Sequence, residues 1–163
     1  MADYMTARIE IPAWAMEIRA VREAIDLQGI VNRDLEEDGA IGFWDDDAAW
    51  GEFPDLEDAL KEIGIAFDRK SDAKYEYAAK VRSYRPAGEN TSEIDRTVVT
   101  GVEHDWIVPL EALEEAITQG MDAVRDLISG FGPVGPTVGE WGAANLAVRD
   151  QLLEAERQEG DAG

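Results

Sequence analysis

Three times in this chain an extended segment is closed by a proline and followed at once by an amphipathic run: "EIP" at Pro12, "EFP" at Pro54 and "IVP" at Pro109. Proline donates nothing to a sheet ladder, so it ends a strand. It suits the first turn of a helix, where its missing N–H has no partner anyway. A chain punctuated this way alternates strands with helices. "TARIEIPAW" (6–14) sets Ala7, Ile9 and Ile11 against Arg8 and Glu10, the alternation of a half-buried strand. "AWAMEIRAVREAIDLQG" then spaces Trp14, Ile18, Val21 and Ile25 for one helical face, with Gly29 as its stop.

"GAIGFW" (39–44) reads as a short strand, and "PDLEDALKEIG" (54–64) as the clearest helix, acidic in its first turn and ended by Gly64. "IAFDRK" and "AKYEYAAKVRSYRP" follow as two strands, the second with Tyr75, Tyr77, Ala79 and Val81 on one face. "RTVVTGVEHDWIVP" (96–109) reads as a strand bulged near Gly101, and the helix after it runs to about residue 129, split at Gly120. "LEDALKEI" and "LEALEEAI" match closely, as an old duplication or as ordinary helix-building chemistry. The expected class is α+β: a largely antiparallel sheet of about four or five strands with helices on one face. Residues 1–129 are expected to form one domain. Residues 130–142, "GFGPVGPTVGEWG", read as a Gly/Pro-rich linker or arm, and 143–163 as a C-terminal helix with a frayed tail.

Charge narrows the function more than any motif does. Thirty-six carboxylates face fifteen Lys and Arg, a formal charge of −21. Solubility alone asks a small domain for a net charge of about 2 to 8. Like charges on one compact body repel, so salt, a cation or a basic partner must compensate. A surface of this sign repels nucleic acid and anionic lipid, which argues against direct contact with either. Neither a secretory signal nor an apolar membrane span is present in the sequence, and the chain reads most simply as cytoplasmic. Without cysteine there is no disulfide, thiol nucleophile or thiolate-bound metal.

The charge is also segmented. Residues 34–62 hold twelve carboxylates against Lys61 alone, and residues 69–85 reverse the sign with six bases against Asp72 and Glu76. The bases of the strand "KYEYAAKVRSYR" (74–85) are expected to pair with the acidic elements beside them, since opposite charges across strands attract. Inside the first acidic block, "GFWDDDAAWGEF" places Asp45, Asp46 and Asp47 between Trp44 and Trp50. This run admits three roles: a solvated loop, a divalent-metal site, or an anionic surface for a partner. It lacks the alternating ligand order of a calcium loop, and adjacent aspartates in an extended segment diverge.

No catalytic constellation stands out. His104, the only histidine, sits in "GVEHDWIV" beside Asp105, but neighbours in a strand point apart and no activated serine accompanies it. "GFGPVGPTVG" fits neither phosphate-loop spacing, and its prolines remove backbone donors. No cofactor and no metal is expected, and the chain is read as non-enzymatic. A high-salt source is a separate explanation of the acidity, consistent with only four lysines against eleven arginines.

The segment "WDDDAAWGEFPDLEDALKEIGIAFDRKSDAKYEYAAKVRSYRPAG" (44–88), about a quarter of the chain, resembles uncharacterised short acidic proteins carried by phages and other mobile elements. That resemblance implies an accessory or anti-defence role and supplies no catalytic residues. With the charge, it leads to an expected function. The chain would be a DNA mimic, an anti-CRISPR or anti-restriction inhibitor in the basic nucleic-acid channel of a defence or DNA-processing protein. The expected contact set is Asp45, Asp46, Asp47, Glu52, Asp55, Asp58 and Glu62, anchored by Trp44 and Trp50. The alternative is an interaction or homo-oligomerisation module working through the C-terminal helix, with the acidity serving solubility.

Overall fold

The computed structural model describes residues 3–161 except Leu35. Six antiparallel strands form one sheet in the order β2-β3-β1-β4-β5-β6: β1 (Tyr4–Pro12), β2 (Asn32–Arg33), β3 (Ala40–Ala49), β4 (Phe67–Ser71), β5 (Lys80–Arg85) and β6 (Ile94–Val99). The class is α+β, with one strand more than the sequence led us to expect. Helix α1 (Arg19–Gln28) follows β1, and α2 (Pro54–Ile63) joins β3 to β4 across β1, which lies between them.

The inner face of the sheet carries the core. Ile9 and Ile11 of β1, Phe43 of β3 and Phe67 of β4 pack with Val21 and Ile25 of α1 and with Phe53, Leu56 and Leu60 around α2. Alternation along β1 sends Arg8 and Glu10 to the outer face. Both helices end at a glycine with φ near +75°, Gly29 and Gly64, as their sequences predict. The helix expected from Ala13 begins later. Ala13–Glu17 forms a 3-10 turn that buries Trp14 and Ala15, the chain extends at Ile18, and the Arg22 guanidinium donates to the Met16 and Glu17 carbonyls at 2.8 and 2.7 Å. A buried tryptophan and an arginine that satisfies the broken turn therefore override the helical pattern.

Two expected strands are shorter than drawn. Lys74–Tyr77 closes a turn with Tyr75 at φ 53°, so β5 begins only at Lys80. Gly101 opens a turn in which the His104 N–H donates to its carbonyl, so β6 ends at Val99 and no bulge forms there. Helices α3 (Leu110–Gln119) and α4 (Met121–Phe131) are parted by Gly120, as predicted. On the outer face of β6, Arg96 donates to the Ser129 and Gly132 carbonyls and so caps the end of α4.

The Gly/Pro-rich segment is not a free arm. Thr137 and Glu140 form a reciprocal cap that starts α5 (Val138–Ala144), and Trp141 joins the core. Its glycines permit close approach: a Cβ at Gly139 would lie 2.0 Å from the Asp38 carbonyl oxygen. The C-terminal helix α6 (Leu146–Asp161) packs Val148, Leu152 and Leu153 against the core, while Glu156 accepts from the Arg19 backbone N–H at 2.7 Å. The end of the expected frayed tail lies outside the described residues.

Candidate functional site

The arginines of the middle of the chain point inward or along the sheet, where carboxylates neutralise them. Arg69, 4% exposed, pairs with Glu57 of α2 at 2.8 Å; Glu57 also binds Arg82 at 2.5 Å and accepts from the Phe53 N–H at 3.0 Å. Arg82 reaches on to Asp95 of β6 with two 2.9 Å hydrogen bonds, and Lys61 meets the same carboxylate at 2.6 Å. Arg85 pairs with Asp68 at 2.9 Å. The Arg82 and Lys61 donors hold the Asp95 carboxyl down at about 2, and burial beside Glu93 pushes the Tyr84 hydroxyl up. The expected pairing of the basic strand with its acidic neighbours is therefore present for Arg82 and Arg85, while Lys74 and Lys80 form no ion pair among the described residues.

This arrangement leaves the expected contact carboxylates unneutralised. Asp55, Asp58 and Glu62 line the exposed side of α2, opposite Leu56, Glu57 and Leu60. Among the described residues, none of these three forms an ion pair, and neither does Asp45, Asp46 or Asp47; Glu52 alone has a partner, Arg69 at 3.7 Å. The positive charge beneath them is already engaged.

Asp45–Asp47 lie on β3, not in a loop. Ala7 pairs with Asp45 and Met5 with Ala48, so two residues of β3, Asp46 and Asp47, stand opposite Thr6. This is a β-bulge, and the side chain of Asp45 stabilises it by accepting from the Asp47 N–H at 2.9 Å. Asp46 accepts a long hydrogen bond from the Thr6 hydroxyl, at 3.4 Å. Strand β2 pairs with β3 at Phe43 and Trp44, so among the described residues Asp45–Ala49 has no strand partner on its outer side. Charge on such an edge keeps it from pairing with another chain. Among the described residues, no group of three or more metal-ligating side chains is arranged to hold an ion.

The two tryptophans part company. Trp50, 46% exposed, lies in the turn after β3 at φ 57° and meets the Tyr77 ring edge-on at 5.9 Å. The turn depends on Gly51, where a Cβ would sit 2.6 Å from that of Ser71, and the Arg69 guanidinium donates to the Gly51 carbonyl. Trp44 pairs with Arg8 and therefore faces the outer side of the sheet, away from α2. It cannot share one flat surface with Asp55, Asp58 and Glu62.

Trp44 instead lines a cleft of about 350 Å³ with Thr6, Arg8, Glu10, Asp34, Lys70, Asp72 and His104. Sequence reasoning left this cleft unread. Its members come from three strands and three loops, and only the register Trp44–Arg8–Lys70 brings them together. His104 does not engage Asp105. Its Nε2 lies 3.2 Å from the Ser71 carbonyl oxygen and 3.6 Å from the Asp72 carboxylate. No described helix is long and apolar enough to cross a membrane. No protein-family model, curated protein or solved structure gives a significant match to this chain.

Proposed function

We propose that this protein is an acidic, non-enzymatic inhibitor that occupies the basic nucleic-acid-binding groove of another protein in the host cytoplasm, in the manner of a DNA mimic. One observation carries the reading. Among the described residues, exposed carboxylates on α2 and on the free edge of β3 lack cationic partners, while the neighbouring bases Arg69, Arg82 and Lys61 are already paired with Glu57 and Asp95. The helical rise sets Asp55, Asp58 and Glu62 about 4.5 and 6 Å apart along α2. That ladder is of the same order as the charge spacing of one DNA strand, about 3.4 Å per phosphate along the axis. Arginines and lysines that hold phosphates would accept carboxylates so spaced. Trp50, exposed beside Glu52, adds an apolar anchor of the kind that charge alone lacks.

Capture tests this directly. The immobilised protein should retain a nucleic-acid-binding protein from host lysate at about 50 mM salt, release it at several hundred millimolar, and lose it to competing duplex DNA. A variant with Asp45, Asp46, Asp47, Asp55, Asp58 and Glu62 all neutralised should retain nothing. Equal capture by that variant would overturn the proposal. The rival role for the C-terminal helix draws less support, because α6 spends its apolar side chains Val148, Leu152 and Leu153 on its own core.

A further inference from the structure

The geometry points to a second site on the outer face of the sheet: a cleft for a nucleoside monophosphate, with its base on Trp44 and its phosphate at Lys70. Trp44 of β3, Arg8 of β1 and Lys70 of β4 are direct cross-strand partners in one row. Neighbouring strands lie about 4.8 Å apart, so the row spans about 10 Å, the reach of a base, ribose and phosphate laid flat.

The charges in the row need an explanation. Like charges placed directly opposite each other on neighbouring strands repel, yet Arg8 and Lys70 are paired in register. Arg8 is compensated by Asp34 at 2.8 Å and Glu10 at 3.1 Å. Lys70, exposed, forms no ion pair among the described residues, although this chain has more than twice as many carboxylates as bases. Lys70 is thus the row's one cation without a counter-charge among the described residues, and an anion received beside it would supply that charge.

The surroundings define the class of ligand. The half-buried Trp44 side chain offers a stacking surface, which any base can use because every base has a π-face. His104, 18% exposed on its turn, closes the far wall; its Nε2 faces the Ser71 carbonyl, which can only accept, so that nitrogen carries the hydrogen. Glu10, Asp34 and Asp72 on the rim offer acceptors to ribose hydroxyls and amino groups, and they repel further phosphates. A second pocket, lined by Trp106 and Pro136, adjoins the cleft at Glu10 and Lys70. One phosphate is accommodated where the field of the whole molecule opposes a chain of them.

Calorimetric titration of the full chain with AMP, GMP, CMP and UMP, and with adenosine and inorganic phosphate, tests the assignment. At least one monophosphate should bind, with its nucleoside and phosphate each at least tenfold weaker and its triphosphate weaker than the monophosphate. Lys70→Gln should weaken the monophosphate at least tenfold and leave the nucleoside unchanged, Lys70→Arg should restore binding, and Trp44→Ala should weaken both ligands. Lys70 is exposed, so its variants keep the fold, and circular dichroism checks this. No heat from any monophosphate at millimolar concentration, or equal binding by Lys70→Gln, overturns the site. Neither result touches the α2 carboxylates, so the proposed inhibitor role stands or falls separately.

Discussion

Trp141 of α5 stacks on Trp14 of the first 3-10 turn with ring centroids 6.2 Å apart, and the Trp14 Nε1 donates to the Gly142 carbonyl at 3.0 Å. The contact ties the last quarter of the chain to the first strand's exit. Replacing Trp141 with alanine should lower stability by about 3–5 kcal/mol, the usual loss for a buried tryptophan. Urea unfolding would measure it; a change under 1 kcal/mol would show that the 130–142 segment is dispensable to the core.

Glu57 is buried between two arginines, and its removal leaves the buried Arg69 with only the exposed Glu52, 3.7 Å away, as a counter-charge. Glu57→Gln should cost about 3–5 kcal/mol, as for other buried pairs broken on one side. A double variant Glu57→Leu, Arg69→Met should recover much of that loss, because it removes both desolvated charges together. Chemical denaturation of the three proteins separates these outcomes.

Asp95 titrates near 2 in the fold, against about 3.9 in an unfolded chain. A depressed carboxylate contributes stability that is present above its unfolded value and disappears as pH falls toward its folded value. Stability should therefore decline between about pH 4 and pH 2. Asp95→Asn should be less stable at pH 7 and lose less than the parent across that window, read by melting temperature at each pH.

Salt should stabilise this protein. Exposed, unpaired carboxylates repel through water and are screened within about 10 Å at 0.1 M ionic strength, whereas the Glu57–Arg69 pair is shielded from solvent. The melting temperature is expected to rise from low salt to about 0.5 M sodium chloride. A fall would mean that surface ion pairs dominate instead.

Neutralising the β3 edge should cost solubility before it costs stability. The variant Asp45→Asn, Asp46→Asn, Asp47→Asn keeps an acceptor for the Asp47 N–H but removes the charge that guards an unpaired strand. Static light scattering on heating should show earlier association, with the unfolding midpoint in urea little changed.

Elements set by local chemistry were legible in the sequence. Pro54 and Gly64 bracket α2, Gly29 stops α1 and Gly120 splits α3 from α4, because caps and breakers act within a turn of the backbone. The pairing of Arg82 and Arg85 with acidic neighbours followed from charge order alone. Tyr75 and Tyr77 were misleading: their alternation fits a strand, but the chain turns there. Trp141 was hidden by glycines that look like linker and serve close packing, though Thr137 and Glu140 carried a readable capping signal. The outer cleft was beyond reach, because the Trp44–Arg8–Lys70 row depends on long-range register.

The engagement of Arg69 and Arg82 beneath α2, and of Lys61 with Asp95, means that two populations of charge coexist with little crosstalk. The inner one builds the molecule, and the outer one is free to change. Substitutions at Asp55, Asp58 or Glu62 could accumulate singly without threatening folding, so a lineage could retune what it meets while its architecture stays constant.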